Sequence, residues 1–205
     1  MRLFLAIELP EAVRTHLEAV QQLLRPHARS VSWTRAQNLH LTLKFLGEVP
    51  DPDLPHVTAA LERVPVASPI ALQSEGLEIF PPRGPIRILA AALKGDVPRL
   101  AALVEGLEEA LAPLGFARET RRFTPHLTLG RVRSTPEVPR RRPKGPRETP
   151  PIAYALDRMR GHAFGEDSID LVELVRSRLS PGGSVYESLA AFELLKDRPD
   201  ANGLQ

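Results

Sequence analysis

The chain of 205 residues contains no cysteine and no long hydrophobic run. Without cysteine, disulfides, zinc–thiolate sites and thiol nucleophiles are excluded. The first apolar stretch is interrupted by Glu8 and Pro10, so it is too short for a signal sequence or a membrane span. Aromatic residues are also few, but 42% of the chain is hydrophobic, which is enough for a packed core. We therefore expect a folded cytoplasmic protein without a membrane segment.

Acidic residues are scarce in one segment of the chain. Residues 118–147 contain ten basic and two acidic residues, a net charge of +8, whereas the other 17 basic and 23 acidic residues leave the remainder at −6. Such a segment is typical of a surface that binds a polyanion, but a solvated basic loop has the same composition. Charge alone leaves both interpretations open.

Hydrophobic periodicity predicts an α+β fold with antiparallel sheets. Helical spacing indicates helices over 10–25 and 98–114, and a shorter helix that starts at Asp51 or Asp53. The prolines of residues 133–151 indicate a long exposed loop. Alternating and apolar segments indicate strands at residues 2–9, 40–47, 70–79, 86–93, 123–132, 151–164, 168–180 and 185–194.

The tetrapeptide His-Leu-Thr-Leu occurs twice, at residues 40–43 and 126–129. Side chains two residues apart on a strand point to the same face. His40 therefore projects together with Thr42, and His126 together with Thr128, while the leucines face a core. The repeat favours a functional site, although solvent-facing residues of two ordinary amphipathic strands would give the same letters.

Two imidazoles and two hydroxyls suit cleavage of a phosphodiester without a metal. One histidine takes a proton from water while the other gives a proton to the departing oxygen. The threonine hydroxyls donate hydrogen bonds to the nonbridging phosphate oxygens. Metal-dependent hydrolysis is the main chemical alternative, but neither HExxH nor HxH occurs, and the GxxxxGK[ST] loop of nucleotide triphosphate sites is absent.

The two motifs, in the contexts NLHLTLKFLGEV and FTPHLTLGR, resemble those of the two-histidine phosphoesterase superfamily. They are most similar to its bacterial and archaeal branch, the RNA 2′,3′-cyclic phosphodiesterases first called 2′-5′ RNA ligases. The start MRLFLAIELP, Trp33 and the segment SRLSPGGSVYESLAAFEL are similar as well, so the resemblance covers most of residues 1–195. Two features depart from the family pattern: Ala90 stands where an aromatic residue is frequent, and the loop 133–151 is unusual.

The resemblance implies a single bilobal domain over residues 1–196, and we expect a flexible tail over 197–205. Two antiparallel sheets would surround a central cleft, with helices on the outer faces and one motif on each side of a pseudo-twofold axis. A 2′,3′-cyclic phosphate end of RNA would be hydrolysed to a 2′-phosphate without metal or other cofactor. In the family pattern His40 is the proton donor and His126 the proton acceptor, and Thr42 and Thr128 bind the phosphate.

Two basic residues near the motifs are candidates for substrate binding. Lys44 lies two residues after Thr42, so a regular strand places it on the same face as His40. Arg131 follows the second motif, and the resemblance suggests a cation near the cleft. A regular strand would turn Arg131 to the opposite face, whereas a bulge at Gly130 would bring it back, and both arrangements remain open.

Aromatic residues are candidates for contact with the RNA end. Tyr186, Trp33 and Phe80 could stack on a terminal base, although core packing is the commoner fate of an isolated aromatic residue. His16, His27, His56 and His162 lack a neighbouring threonine in the same pattern, so they receive no catalytic role.

The main alternative function is that of a non-catalytic protein that binds RNA ends in the same cleft and with the basic segment. Joining of a cyclic phosphate end to a 5′ hydroxyl would use the same acid and base in the reverse direction. No heptad pattern or large unpaired apolar stretch stands out, so we expect a monomer whose partner is RNA.

Overall fold

A computed structural model describes residues 1–28, 30–64, 67–133 and 156–196, and of residues 67, 68, 195 and 196 it describes only the backbone. The predicted loop 133–151, apart from Arg133, and the predicted tail 197–205 lie outside the described residues. No helix among the described residues is long and apolar enough to cross a membrane.

The predicted α+β class is confirmed. The main α-helices are α1 (Glu11–Leu24), α2 (Leu54–Leu61) and α3 (Val97–Leu111), and a 3₁₀ turn at Asp51–Asp53 precedes α2. The strands are β1 (Arg2–Glu8), β2 (Val31–Trp33), β3 (His40–Glu48), β4 (Ala67–Ser68), β5 (Ile70–Phe80), β6 (Ile88–Gly95), β7 (His126–Val132), β8 (Ala163–Ile169), β9 (Leu171–Ser180), β10 (Gly183–Glu193) and β11 (Leu195–Lys196).

The main sheet consists of two antiparallel halves. The first half has the order β10-β9-β1-β3 and the second half the order β7-β6-β5-β8, with β2 added beside β7. One residue pair, Leu41 with Leu127, joins β3 to β7 between the halves. β4 and β11 form a separate parallel pair. The predicted pair of antiparallel sheets thus corresponds to two halves that meet along the motif strands.

The two halves repeat the same connection. In the first half β1 leads through α1 to β3, and in the second half β6 leads through α3 to β7. In each case the two strands are antiparallel neighbours and the second one carries the His-x-Thr motif. This topology agrees with the predicted pseudo-twofold relation.

The helices are exchanged between the halves. α1 follows β1 but packs beneath β8 of the second half, where His16 Nδ1 lies 2.8 Å from the Phe164 carbonyl oxygen. α3 follows β6 but contacts β3 of the first half. The leucines of the motif strands face these helices and belong to one core cluster. The opposite face of the sheet, which we call the cleft face, carries the histidines and threonines of both motifs.

Two strand predictions in the last third of the chain are wrong. Of the strand predicted at 151–164, residues 151–155 lie outside the described residues, whereas residues 156–158 are helical and 159–161 form a turn, with hydrogen bonds between residues three apart. The strand predicted at 168–180 is broken at Asp170, because β8 pairs with β5 of the second half and β9 with β1 of the first half. The apolar pattern continues across Asp170, so the sequence does not show where the chain passes from the second half to the first.

Candidate active site

The register between the halves brings the two motifs together. Because Leu41 lies opposite Leu127 in an antiparallel pair, His40 is the cross-strand neighbour of Thr128, and Thr42 that of His126. Directly opposed residues are about 5 Å apart, and residues i and i+2 about 7 Å. The four side chains therefore lie at the corners of a small quadrilateral, with the histidines on one diagonal and the threonines on the other.

Backbone carbonyl groups orient both imidazole rings. His40 Nδ1 lies 2.7 Å from the Asn38 carbonyl oxygen, and His126 Nδ1 lies 2.8 Å from that of Thr124. A carbonyl oxygen only accepts hydrogen bonds, so Nδ1 carries a hydrogen in both rings. In each histidine Nε2 is consequently the atom that gains or loses a proton.

His40 is enclosed by aromatic residues from the first half. Its ring centroid lies 5.0 Å from that of Phe4 and 5.3 Å from that of Tyr186, which meets it edge-on. Nε2 lies 2.9 Å from Thr42 Oγ1. The Asn38 side chain donates a hydrogen bond to the Ser184 carbonyl on β10, which ties the loop before His40 to the strand of Tyr186.

This enclosure alters the acidity of His40. Burial lowers the pKa of His40 because it removes water from the charged form, and the nearby positive charge of Arg131 lowers it further. The hydrogen bond to the Asn38 carbonyl acts in the opposite direction, but it is smaller than the effect of burial. His40 is therefore neutral over a wider pH range than a solvent-exposed histidine.

His126 has a different aromatic neighbour. The ring of Phe80 lies 4.7 Å from the imidazole centroid and tilts by 40°. Phe80 comes from β5, two strands away from β7, and the intervening strand β6 presents Ala90, which is fully buried opposite Thr128. The small side chain of Ala90 thus lies between the strand of Phe80 and the strand of His126.

The prediction that Lys44 shares the cleft face with His40 is wrong. Ala6 pairs with Thr42 and Leu5 with Lys44, so Leu43 has no partner and forms a β-bulge. The bulge turns Lys44 towards α3, where Nζ lies 2.5 Å from Glu108 Oε2 and donates to the Ala117 carbonyl at 2.9 Å. The side chains of Lys44 and Glu108 are only 5% and 7% exposed. A phosphate in the cleft cannot reach this ammonium group.

A matching bulge in β7 turns Arg131 towards the cleft face, whereas the bulge in β3 turns Lys44 away from it. Ala90 pairs with Thr128 and Leu89 with Gly130, so Leu129 has no partner on β6. The bulge places Arg131 on the cleft face, which agrees with the influence of its charge on His40. Of the two arrangements left open by the sequence, the bulged one is present.

The bulges are equivalent under the pseudo-twofold relation. Each is followed by one residue on the helix face, Lys44 or Gly130, and then by one on the cleft face, Phe45 or Arg131. The ring of Phe45 is 64% exposed. The first half thus offers an aromatic ring at the position where the second half offers a guanidinium group.

Each exchanged helix contributes one buried polar side chain to these bulges. Gln21 of α1 donates hydrogen bonds to the carbonyls of Leu129 and Thr34, at 2.9 and 2.8 Å. Glu108 of α3 binds Lys44 beside the bulge of β3. Neither residue is part of a recognisable motif, so sequence reasoning missed both. The signal that it could have used is a polar residue on the apolar side of an amphipathic helix.

The remaining aromatic candidates differ in position. Tyr186 lies at the cleft, in contact with Phe4 and His40. Trp33 packs against the core cluster instead, and the Arg25 guanidinium lies 5.6 Å from its ring centroid.

Among the described residues, no three or more histidine or acidic side chains are grouped so that they could hold a metal ion.

Comparison with known proteins agrees with this geometry. The model of a family described as LigT-like phosphoesterase matches residues 7–90 and 95–186, which together are most of the chain. The chain belongs to the LigT-like phosphoesterase family. The predicted resemblance to two-histidine phosphoesterases is therefore confirmed, and the chain is an enzyme that acts on phosphoester bonds.

Named relatives of this LigT-like phosphoesterase match almost its whole length. A protein of Thermus thermophilus named RNA 2′,3′-cyclic phosphodiesterase is 34% identical over 204 residues, which cover 95% of this chain and 90% of the relative. A protein of Archaeoglobus fulgidus with the same name is 33% identical over 198 residues, which cover 94% of this chain and all of the relative.

Solved structures resemble the fold of this LigT-like phosphoesterase. The crystal structure of a Thermus thermophilus protein has a TM-score of 0.74 and 31% sequence identity, and it covers 97% of this chain and 100% of its own. Escherichia coli LigT in complex with 3′-AMP has a TM-score of 0.71 at 23% identity, covers 95% of this chain and 98% of its own, and supports the fold alone.

Proposed function

We propose that the protein is an RNA 2′,3′-cyclic phosphodiesterase that opens a cyclic phosphate end to a 2′-phosphate by metal-independent acid–base catalysis. The observation that carries this proposal is the quadrilateral of His40, Thr42, His126 and Thr128, in which a backbone carbonyl holds Nδ1 of each histidine and leaves Nε2 to exchange a proton. The names of the relatives, which match nearly the full length of the chain, support the substrate class.

The proposed reaction uses the two diagonals for different tasks. The hydroxyls of Thr42 and Thr128 donate hydrogen bonds to the nonbridging oxygens of the cyclic phosphate. His126 Nε2 accepts a proton from a water molecule, whose oxygen forms a bond to phosphorus. The bond from phosphorus to the 3′ oxygen breaks on the opposite side, and the His40 imidazolium gives its Nε2 proton to that oxygen. The product keeps its phosphate on the 2′ oxygen.

The diagonal arrangement suits an in-line displacement, because the entering and leaving oxygens must lie on opposite sides of phosphorus.

The lowered pKa of His40 affects the pH range in which this residue can act as the proton donor. In the free enzyme the protonated form of His40 is lost at a lower pH than for an exposed histidine. A bound phosphate anion raises the pKa of His40 again, because an opposite charge favours the imidazolium. We therefore expect the alkaline limb of kcat at a higher pH than the alkaline limb of kcat/KM.

Replacement of Arg131 provides a direct assignment of the donor. Arg131→Gln removes a positive charge that lowers the pKa of His40, so that pKa is expected to rise in the free enzyme. If His40 is the donor, the alkaline limb of kcat/KM moves to higher pH. The measurement is kcat/KM against pH for the wild type, Arg131→Gln and Arg118→Gln, whose arginine is paired with Glu105 and serves as the control. Movement of the acid limb instead would assign His40 as the base.

The overall proposal is tested with a short RNA that ends in a 2′,3′-cyclic phosphate, incubated with the wild-type protein and excess chelator. We expect opening to the 2′-phosphate, identified by the position of the phosphate in the product. Binding without turnover would favour the alternative, a protein that binds RNA ends, and loss of activity with chelator would favour a metal-dependent reaction. Ligation uses the same groups in reverse, so a second reaction with added 5′-hydroxyl RNA measures it.

A further inference from the structure

Acidic residues lie beside the motif in both halves of the cleft face. In the first half Glu8 lies directly opposite His40, and Glu173 lies beside Ala6 on the same face. Burial raises the pKa of Glu173, and the charge of Glu8 raises it further. In the second half the residue opposite His126 is Ala92, which carries no charge, but Glu78 lies beside Ala90 at the position equivalent to that of Glu173. Glu8 is moreover paired with Arg14, so the acidic residues do not by themselves favour one half for the phosphates of an RNA chain.

The arginines near His126 fall into two groups. Arg118 is paired with Glu105, and Arg121 with Glu119. Arg122, Arg131 and Arg133 form no ion pair with any carboxylate of the described residues, and all three are exposed. We call these three the arginine face. Unpaired arginines keep their full set of donors for phosphate oxygens, whereas the paired ones are partly neutralised.

The arginine face adjoins the catalytic groups. Arg131 lies on the cleft face and affects the pKa of His40. The Arg133 N–H donates to the Ser30 carbonyl at 2.8 Å, so strand pairing continues and Arg133 points to the same side as Arg131, about 7 Å further on. Arg122 lies two residues before Thr124, whose carbonyl accepts the hydrogen bond of His126. The three arginines thus lie on the side of the second half, from the segment just before His126 to the end of β7.

We propose that the arginine face binds the phosphates that precede the cyclic end of an RNA chain. This inference rests on the proposed function and adds the residues that favour an RNA oligonucleotide over a free cyclic mononucleotide. A cyclic mononucleotide has one phosphate, which the threonines hold, and therefore does not use Arg122 or Arg133. Each additional phosphate contact strengthens binding of the oligonucleotide and makes it more sensitive to salt.

The test compares two substrates, 2′,3′-cyclic AMP and an RNA of about ten nucleotides with a 2′,3′-cyclic phosphate end. The variant is Arg122→Gln/Arg133→Gln. The control is Arg118→Gln/Arg121→Gln, which removes the same charge from the same segment but at ion-paired positions. We expect the first variant to lower kcat/KM for the oligonucleotide on the order of tenfold more than for the mononucleotide. The control is expected to leave the ratio between the two substrates unchanged.

The salt dependence gives a second readout. For the oligonucleotide, loss of two phosphate contacts flattens the slope of log kcat/KM against log salt by about 1.4. The inference is overturned if both substrates lose the same factor, or if the control variant changes the ratio as much. In those cases the proposed function still holds, because the wild type opens the cyclic mononucleotide. If the wild type opens neither substrate, the proposed function and this inference both fail.

Discussion

Replacement of either cleft histidine by alanine is expected to lower kcat by about 10²- to 10⁴-fold, the usual contribution of a general acid or base. His40→Ala removes the proton donor, and His126→Ala removes the group that activates water. Neither side chain belongs to the main core cluster, so both variants are expected to fold. The measurement is single-turnover opening of a cyclic phosphate RNA, together with urea unfolding of each variant.

His56→Ala is the matched control, because His56 is exposed on α2 and has no place in the cleft. Its kcat should remain that of the wild type. The double variant His40→Ala/His126→Ala provides a further comparison, since groups that act together have effects that do not add. Full turnover by both single variants would exclude the proposed mechanism.

The largest expected change in stability comes from Lys44. Lys44→Met removes the cation from a buried pair and leaves the Glu108 carboxylate without its partner. It also removes the donor to the Ala117 carbonyl, in the segment that leads to His126. Breaking one side of a buried ion pair costs about 3–5 kcal/mol, and we expect the free energy of unfolding to fall by that amount. Urea unfolding monitored by circular dichroism measures it.

A second variant separates the unpaired charge from the loss of packing. Lys44→Met/Glu108→Leu replaces both partners with apolar side chains, and such a replacement is often close to neutral for stability. We therefore expect the double variant to recover most of the stability that Lys44→Met loses. A Lys44→Met protein with the wild-type free energy of unfolding would show that this pair does not stabilise the junction of β3 and α3.

The sequence predicted the parts of the fold that depend on local pattern. The motif strands, α1 and α3 follow regular apolar spacing, and their ends lie within a few residues of the predicted ones. The orientation of His40 with Thr42, and of His126 with Thr128, follows from strand alternation before either bulge is reached. The quadrilateral itself required the register Leu41 to Leu127, which joins residues 86 positions apart and has no local signal.

The errors lie where tertiary contacts decide the conformation. Strand alternation predicts the wrong face for Lys44 because the bulge at Leu43 is stabilised from α3, a helix more than fifty residues further along the chain. The division of the strand at Asp170 results from pairing with two different halves. The imidazole rings are held by the backbone carbonyls of Asn38 and Thr124. Every residue has such a carbonyl, so the sequence contains no signal for these contacts.

The exchange of α1 and α3 between the halves limits how the cleft can move. A hinge that separated β3 from β7 would break only one residue pair of the sheet, Leu41 with Leu127. It would also pull α1 away from β8 and α3 away from β3, and thereby expose apolar faces of both helices to water. The distance between the two histidines is consequently fixed by the core, and substrate entry depends on side chains and loops at the rim of the cleft rather than on opening of the halves.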